Sequence, residues 1–110
     1  MSVICVCLSM RKNIQFNYLY RDSANYKNFG SVIFHNDRGI QLKEVQTLIK
    51  AQLIDDTWFY ANQWGLPDLH QQISEEDPTW HEFESISYTH KAASTALTLP
   101  AFLSLIQEED

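Results

Sequence analysis

From Asn13 to Tyr20 the chain alternates, with Ile14, Phe16, Tyr18 and Tyr20 on one side of an extended backbone and Asn13, Gln15 and Asn17 on the other. Four large apolar side chains in phase at a period of two describe a strand with one buried face. A slip of one residue would turn the whole set into solvent, so the register of such a strand is tightly constrained. The remainder of the chain has to supply a pairing partner for this strand and a layer to cover it.

The partner is close by. Arg21-Asp-Ser-Ala-Asn-Tyr-Lys-Asn28 is a run of turn-forming polar residues, and the apolar, β-branched run Phe29-Gly-Ser-Val-Ile-Phe34 follows it. The pair predicts an antiparallel hairpin. After a loop at His35–Gly39, the residues Leu42, Val45, Leu48, Ile49 and Leu53 recur at helical spacing. They predict an amphipathic helix of about three turns, ended by Asp55-Asp56, that covers one face of the sheet.

Thr57 to Ala61 reads as a third strand, buried and aromatic, while Gly65 and Pro67 make the stretch Trp64–Leu69 irregular. Gln71 to Asp77 is a polar surface connection. Between Trp80 and Thr89 two patterns compete: Trp80 and Phe83 suit a helical turn, and Glu84 to Thr89 alternates. A strand beginning near Phe83 is the preferred reading. The run from His90 to Thr98 carries weak signals, and Pro100 suits the first turn of a last helix with Phe102, Leu105 and Ile106 on one stripe. Glu108, Glu109 and Asp110 oppose that helix's dipole, so its end should fray.

The resulting order, β-β-α-β-β-α, predicts an α+β fold: an antiparallel sheet of about four strands with helices on one face. Residues 13–110 form one domain of ordinary size, and residues 1–12 are expected to be an N-terminal extension or a short edge strand. The opening apolar run, Val3 to Leu8, is too short to span a membrane and has its basic pair, Arg11-Lys12, behind it and not before it. Cys5 and Cys7 would share one face of a strand, too constrained to bridge each other, and the chain has no other cysteine. A cytoplasmic location follows as the expectation.

Charge is unevenly spread. The net charge is −6, yet residues 1–53 hold seven of the eight Lys and Arg with only three acids, and residues 54–110 hold Lys91 with eleven acids. An acidic surface attracts basic partners and repels nucleic acid and anionic membranes.

None of the glycine-rich phosphate loops, dinucleotide fingerprints or zinc-ligand spacings is present, so no cofactor and no metal are expected. Two clusters could carry chemistry. Tyr20, Arg21, Asp22, Asn25, Tyr26 and Lys27 lie at the hairpin loop, where Arg21 and Lys27 could grip an anion. The alternative use is structural: Asp22 and Asn25 shape the turn, and Arg21 pairs with an acid from the C-terminal half. The second cluster joins Trp64, Asp68 and His70 to Asp77, Trp80, His81 and Glu82. His70, His81, Asp68 and Glu82 are the catalytic candidates for acid–base work. Against that, Trp64 and Trp80 would be core anchors, and most of the other aromatics would be internal, leaving Tyr26 and one tryptophan exposed.

The strings Tyr20-Arg-Asp-x-Ala-Asn-Tyr-Lys-Asn-Phe-Gly30, Trp64-Gly-Leu-Pro-Asp-Leu-His70 and Trp80-His-Glu-Phe-Glu84 resemble a family of short uncharacterised bacterial proteins, over about Ile14 to Thr89. The resemblance implies a bacterial cytosolic origin and a site near these strings, and supplies no mechanism. The leading expectation is a non-enzymatic interaction or regulatory protein that binds another protein, basic partners being among the candidates, through an acidic surface and aromatic loops. The rivals are a hydrolase or nuclease using the His/Asp/Glu cluster, and a binder of small anions at Arg21 and Lys27.

Overall fold

The computed structural model describes residues 12–69 and 79–107. Residues 1–11, 70–78 and 108–110 lie outside the described residues, and with them the expectations for the N-terminal extension, for Cys5 and Cys7, for His70 and Asp77, and for the fraying helix end. The order of elements is that expected from the sequence. Strands β1 (Asn13–Arg21) and β2 (Lys27–Phe34) form the hairpin, helix α1 (Leu42–Gln52) follows, then β3 (Trp58–Phe59), a 3₁₀ turn (Ala61–Trp64), β4 (His81–Thr89) and helix α2 (Leu99–Gln107). The four strands form one antiparallel sheet in the order β2-β1-β4-β3. This is the α+β fold.

Every in-phase residue of the opening pattern is internal. Ile14, Phe16 and Tyr18 share one core with Val32 and Phe34 of β2, Val45 and Ile49 of α1, and Leu99, Phe102, Leu103 and Ile106 of α2. Both helices therefore pack on the same side of the sheet. Phe16 is the hub: its ring centroid lies 5.3 Å from Phe83, 5.6 Å from Tyr18, 5.7 Å from both Phe59 and Phe102, and 6.2 Å from Trp64. Edge-on and tilted geometries dominate, the arrangement that aromatic quadrupoles favour.

Two elements differ from expectation, each for a physical reason. β3 is only two residues long because the chain reverses sharply just before it. Asp55 and Asp56 both adopt left-handed backbone conformations, with φ of 54° and 61°, and Ile54 pairs with Trp58 across the reversal. β4 begins at His81, ahead of Phe83, because it carries a bulge. Asn17 pairs with Ser85 but Tyr18 pairs with Phe83, which leaves Glu84 as the extra residue. The bulge resets the alternation, so that Ile86 on one side of it and Phe83 and His81 on the other all point into the core face.

The loops that follow β2 and β4 are tied to the sheet by a few side chains. Asn36, itself buried, holds the turn before α1 by accepting from the Ile40 amide at 2.9 Å and donating to the Ile40 carbonyl at 3.0 Å. The Tyr88 hydroxyl accepts the Leu42 amide at 2.8 Å, one of the first-turn donors that a helix start leaves open. After β4 the chain crosses to the far edge of the sheet, where Ser94 bonds both the amide and the carbonyl of Ile33.

Candidate functional site

Strand alternation separates the two neighbours His81 and Glu82. His81 enters the core face, while Glu82 points to the opposite, outer face of the sheet, beside Leu19 and Trp58 in the cross-strand register. There Glu82 meets Arg21 in a two-pronged ion pair, Nε to Oε2 at 2.7 Å and Nη2 to Oε1 at 3.1 Å. The third prong of Arg21, Nη1, donates to Asn25 Oδ1 at 2.6 Å. The hydrogen bond to Glu82 is the main cause that raises the guanidinium pKa further above its ordinary value. Lys27 stands directly across from Arg21 in the hairpin register. The fork of Arg21 is committed to protein acceptors, the structural pairing that the sequence offers beside an anion grip with Lys27.

The hairpin loop is also held by its own polar groups. Asp22 Oδ1 accepts from the amides of Ala24 and Tyr26 at 2.9 Å each, and Asn25 takes a left-handed φ of 72°. Asparagine tolerates that region better than most residues. Asp22 and Asn25 thus shape the turn, and Tyr26 stands out from it.

Among the catalytic candidates, Asp68 and His81 do meet, with Oδ1 3.3 Å from Nε2. The same Nε2 lies 3.0 Å from the Leu69 amide, which donates to it. One ring nitrogen cannot accept a hydrogen bond from an amide and donate one to a carboxylate at once. The amide contact is the shorter, and the imidazole is buried among the rings of Tyr18, Tyr20 and Phe59, so the neutral ring with its lone pair toward Leu69 is the form the geometry describes. His81 therefore acts as an anchor for the irregular stretch that Gly65 and Pro67 impose. The Tyr18 hydroxyl anchors the same stretch by donating to the Pro67 carbonyl at 2.6 Å.

The structure places several of the sequence-based candidates. Tyr20 and Trp64, expected among the binding residues, are buried, and Trp64 stacks on Phe59 at 4.6 Å inside the core. Glu82 and His81 lie on opposite faces and do not form one acid–base pair. Among the described residues no three His, Cys, Asp or Glu side chains are grouped to hold a metal ion.

The large exposed apolar side chains lie elsewhere. Tyr26 is 75% exposed, Phe29 59%, Ile54 47%, Tyr88 42% and Trp80 41%, Tyr88 standing apart from the others, across from Ile14 and against the start of α1. Phe29 is the cross-strand partner of Leu19, and Trp58 of Glu82, so one row across the outer face reads Phe29, Leu19, Glu82, Trp58. Trp80 contacts Trp58 at 6.4 Å with the rings inclined at 61°, Ile54 pairs with Trp58, and Tyr26 lies in the hairpin loop beyond the Arg21–Lys27 pair. Sequence reasoning named Tyr26 and Trp80 but missed Phe29 and Trp58. The parity of β1 held the signal: residues paired with odd-numbered β1 positions face outward. No family model, curated protein or solved structure matches the chain.

Proposed function

We propose that the protein is a small non-enzymatic interaction module that binds another protein through the outer face of its sheet. The observation that supports this reading is the row Phe29, Leu19, Glu82, Trp58, flanked by Trp80 and Tyr26. Trp, Tyr and Arg are the residue types that dominate binding hot spots, and here they surround an Arg21–Glu82 pair whose prongs are already satisfied. Leu19, only 7% exposed, is already covered within the chain, so the accessible apolar surface of this face is that of Phe29, Trp80 and Tyr26. The acid–base reading loses ground because His81 is buried and Glu82 is neutralised by Arg21. The single Cys-x-Cys and the absence of any further cysteine support a reducing, cytoplasmic setting.

The test compares wild-type protein with Phe29→Ser and Trp80→Ser, each immobilised and offered a cell extract at several salt concentrations. A defined set of proteins should be retained by the wild type. Its affinity for either variant should fall about thirtyfold, the effect of losing an anchor worth about 2 kcal/mol. Equal retention by all three folded proteins would sink the assignment of this face.

A further inference from the structure

Residues 66–69 form a strap over one end of the sheet, fastened at several points. Leu66 is buried in the core, the Pro67 carbonyl accepts from Tyr18, and the Leu69 amide donates to His81 Nε2 at 3.0 Å. Beyond His81 the strap reaches β2: the Asn28 Nδ2 donates to the Leu69 carbonyl at 3.0 Å. The Leu69 side chain lies on Gly30, where an added Cβ would come 2.9 Å from Leu69 Cδ2. Gly30 leaves the room that Leu69 fills.

His81 Nε2 has two partners of opposite kind within reach, and the two are mutually exclusive. The Leu69 amide at 3.0 Å needs a lone pair, and the Asp68 carboxylate at 3.3 Å needs a proton. We propose that His81 is a proton-operated latch on the 66–69 strap: neutral, it holds the Leu69 amide, and protonated, it turns the same nitrogen to Asp68 and lets the amide go. One proton is taken up from solvent and rests on Nε2. The groups facing the imidazole among the described residues are Tyr18 and Tyr20 from β1, Phe59 from β3 and Asp68 from the strap. Glu82, its chain neighbour, points to the other face and is engaged by Arg21. Among the described residues Asp68 is thus the carboxylate placed to accept a hydrogen bond from the new proton. It is 60% exposed, so it can be changed without disturbing the core. Release of Leu69 loosens the contact with Asn28 and Gly30, and so loosens β2 from the core side. The latch does not depend on what the outer face binds.

The experiment is an NMR titration of the full chain from about pH 8 to about pH 5, the span in which histidine changes charge, following the His81 ring nitrogens, the Leu69 amide and the Asn28 side-chain amide. In the wild type all three should move with one shared midpoint, and at the alkaline end Nδ1 should carry the proton. Asp68→Asn removes the receiving charge and should lower that midpoint by about one pH unit. His81→Gln keeps an acceptor without a titrating ring, and its Leu69 amide should stay fixed across the range. If that variant does not fold, the Asp68→Asn comparison decides alone. A ring that titrates without moving Leu69, a ring that stays neutral to about pH 5, a proton on Nε2 at the alkaline end, or a midpoint unmoved in Asp68→Asn would each overturn the latch.

Discussion

The phenol of Tyr18 is enclosed by the core, and Asp68 stands near the carbonyl to which it donates. Burial first, and the negative charge of Asp68 second, push its pKa up to about 12. An unfolded phenol ionises near 10, so below about pH 10 folded and unfolded chains hold the same proton. Above it the unfolded chain gives up its proton and the folded one does not. The stabilising effect of the neutral, buried phenol is therefore fully present below about pH 10 and is lost between about 10 and 12. The loss runs at about 1.4 kcal/mol per pH unit, or roughly 2–3 kcal/mol over the window. Denaturant unfolding at about pH 9 and about pH 11 checks this. Tyr18→Phe should lose distinctly less stability between those two points than the wild type, while being about 1–2 kcal/mol less stable at neutral pH for want of the bond to Pro67. Phe16 is the other residue on which much depends. It sits among five aromatic rings, and Phe16→Ala should cost about 3–5 kcal/mol of unfolding free energy in the same assay.

At the level of elements, the bulge in β4 sets two deletions against each other. Removing Glu84 brings Phe83 and Ser85 into direct succession opposite Tyr18 and Asn17, so every remaining side chain keeps its partner and its face. That deletion should preserve cooperative thermal unfolding and cost no more than about 2 kcal/mol. Removing Ser87 takes a residue from the regular part of the strand instead. With Tyr88 held opposite Ile14 and Phe83 opposite Tyr18, the shortened strand turns Ile86 outward and Ser85 inward, and about 2–5 kcal/mol should be lost. Equal stability of the two deletions would contradict this register. The same bulge explains what was legible in the sequence here. β1, β2 and both helices announce themselves because their periods run unbroken through Ile14–Tyr20, Leu42–Leu53 and Phe102–Ile106. In β4 the extra residue spaces Phe83 and Ile86 three apart, prolonging the three-residue spacing of Trp80 and Phe83 that suits a helical turn, and so hides the strand's true start. The turn before β3 was opaque for another reason: Asp55 and Asp56 adopt φ values that Asn and Gly adopt more easily. The double variant Asp55→Asn/Asp56→Gly should therefore raise stability by about 1 kcal/mol, seen as a higher melting temperature. Of the candidate site, the Arg21 pairing with a C-terminal acid could be foreseen in kind. The outer row could not, because it depends on register between strands far apart in sequence.

Across the whole molecule, the strand order β2-β1-β4-β3 lays the basic N-terminal half beside the acidic C-terminal half, and Arg21–Glu82 joins them. Among the described residues there are seven Lys and Arg against eight Asp and Glu, close to balance. The excess of acid lies in Glu75, Glu76, Asp77, Glu108, Glu109 and Asp110. On the proposed function, charge and aromatic contact can therefore be tested separately. Long-range charge acts chiefly on association, whereas desolvated anchors act chiefly on dissociation. With a partner in hand, neutralising the six acids to Gln and Asn should slow association and flatten its salt dependence, leaving the dissociation rate nearly unchanged. Phe29→Ser and Trp80→Ser should do the reverse, raising the dissociation rate about thirtyfold with little effect on association. Stopped-flow or surface binding kinetics at two salt concentrations measure both. If the neutralised protein instead dissociates faster, those acids are part of the contact itself, and the interface extends beyond the sheet's outer face.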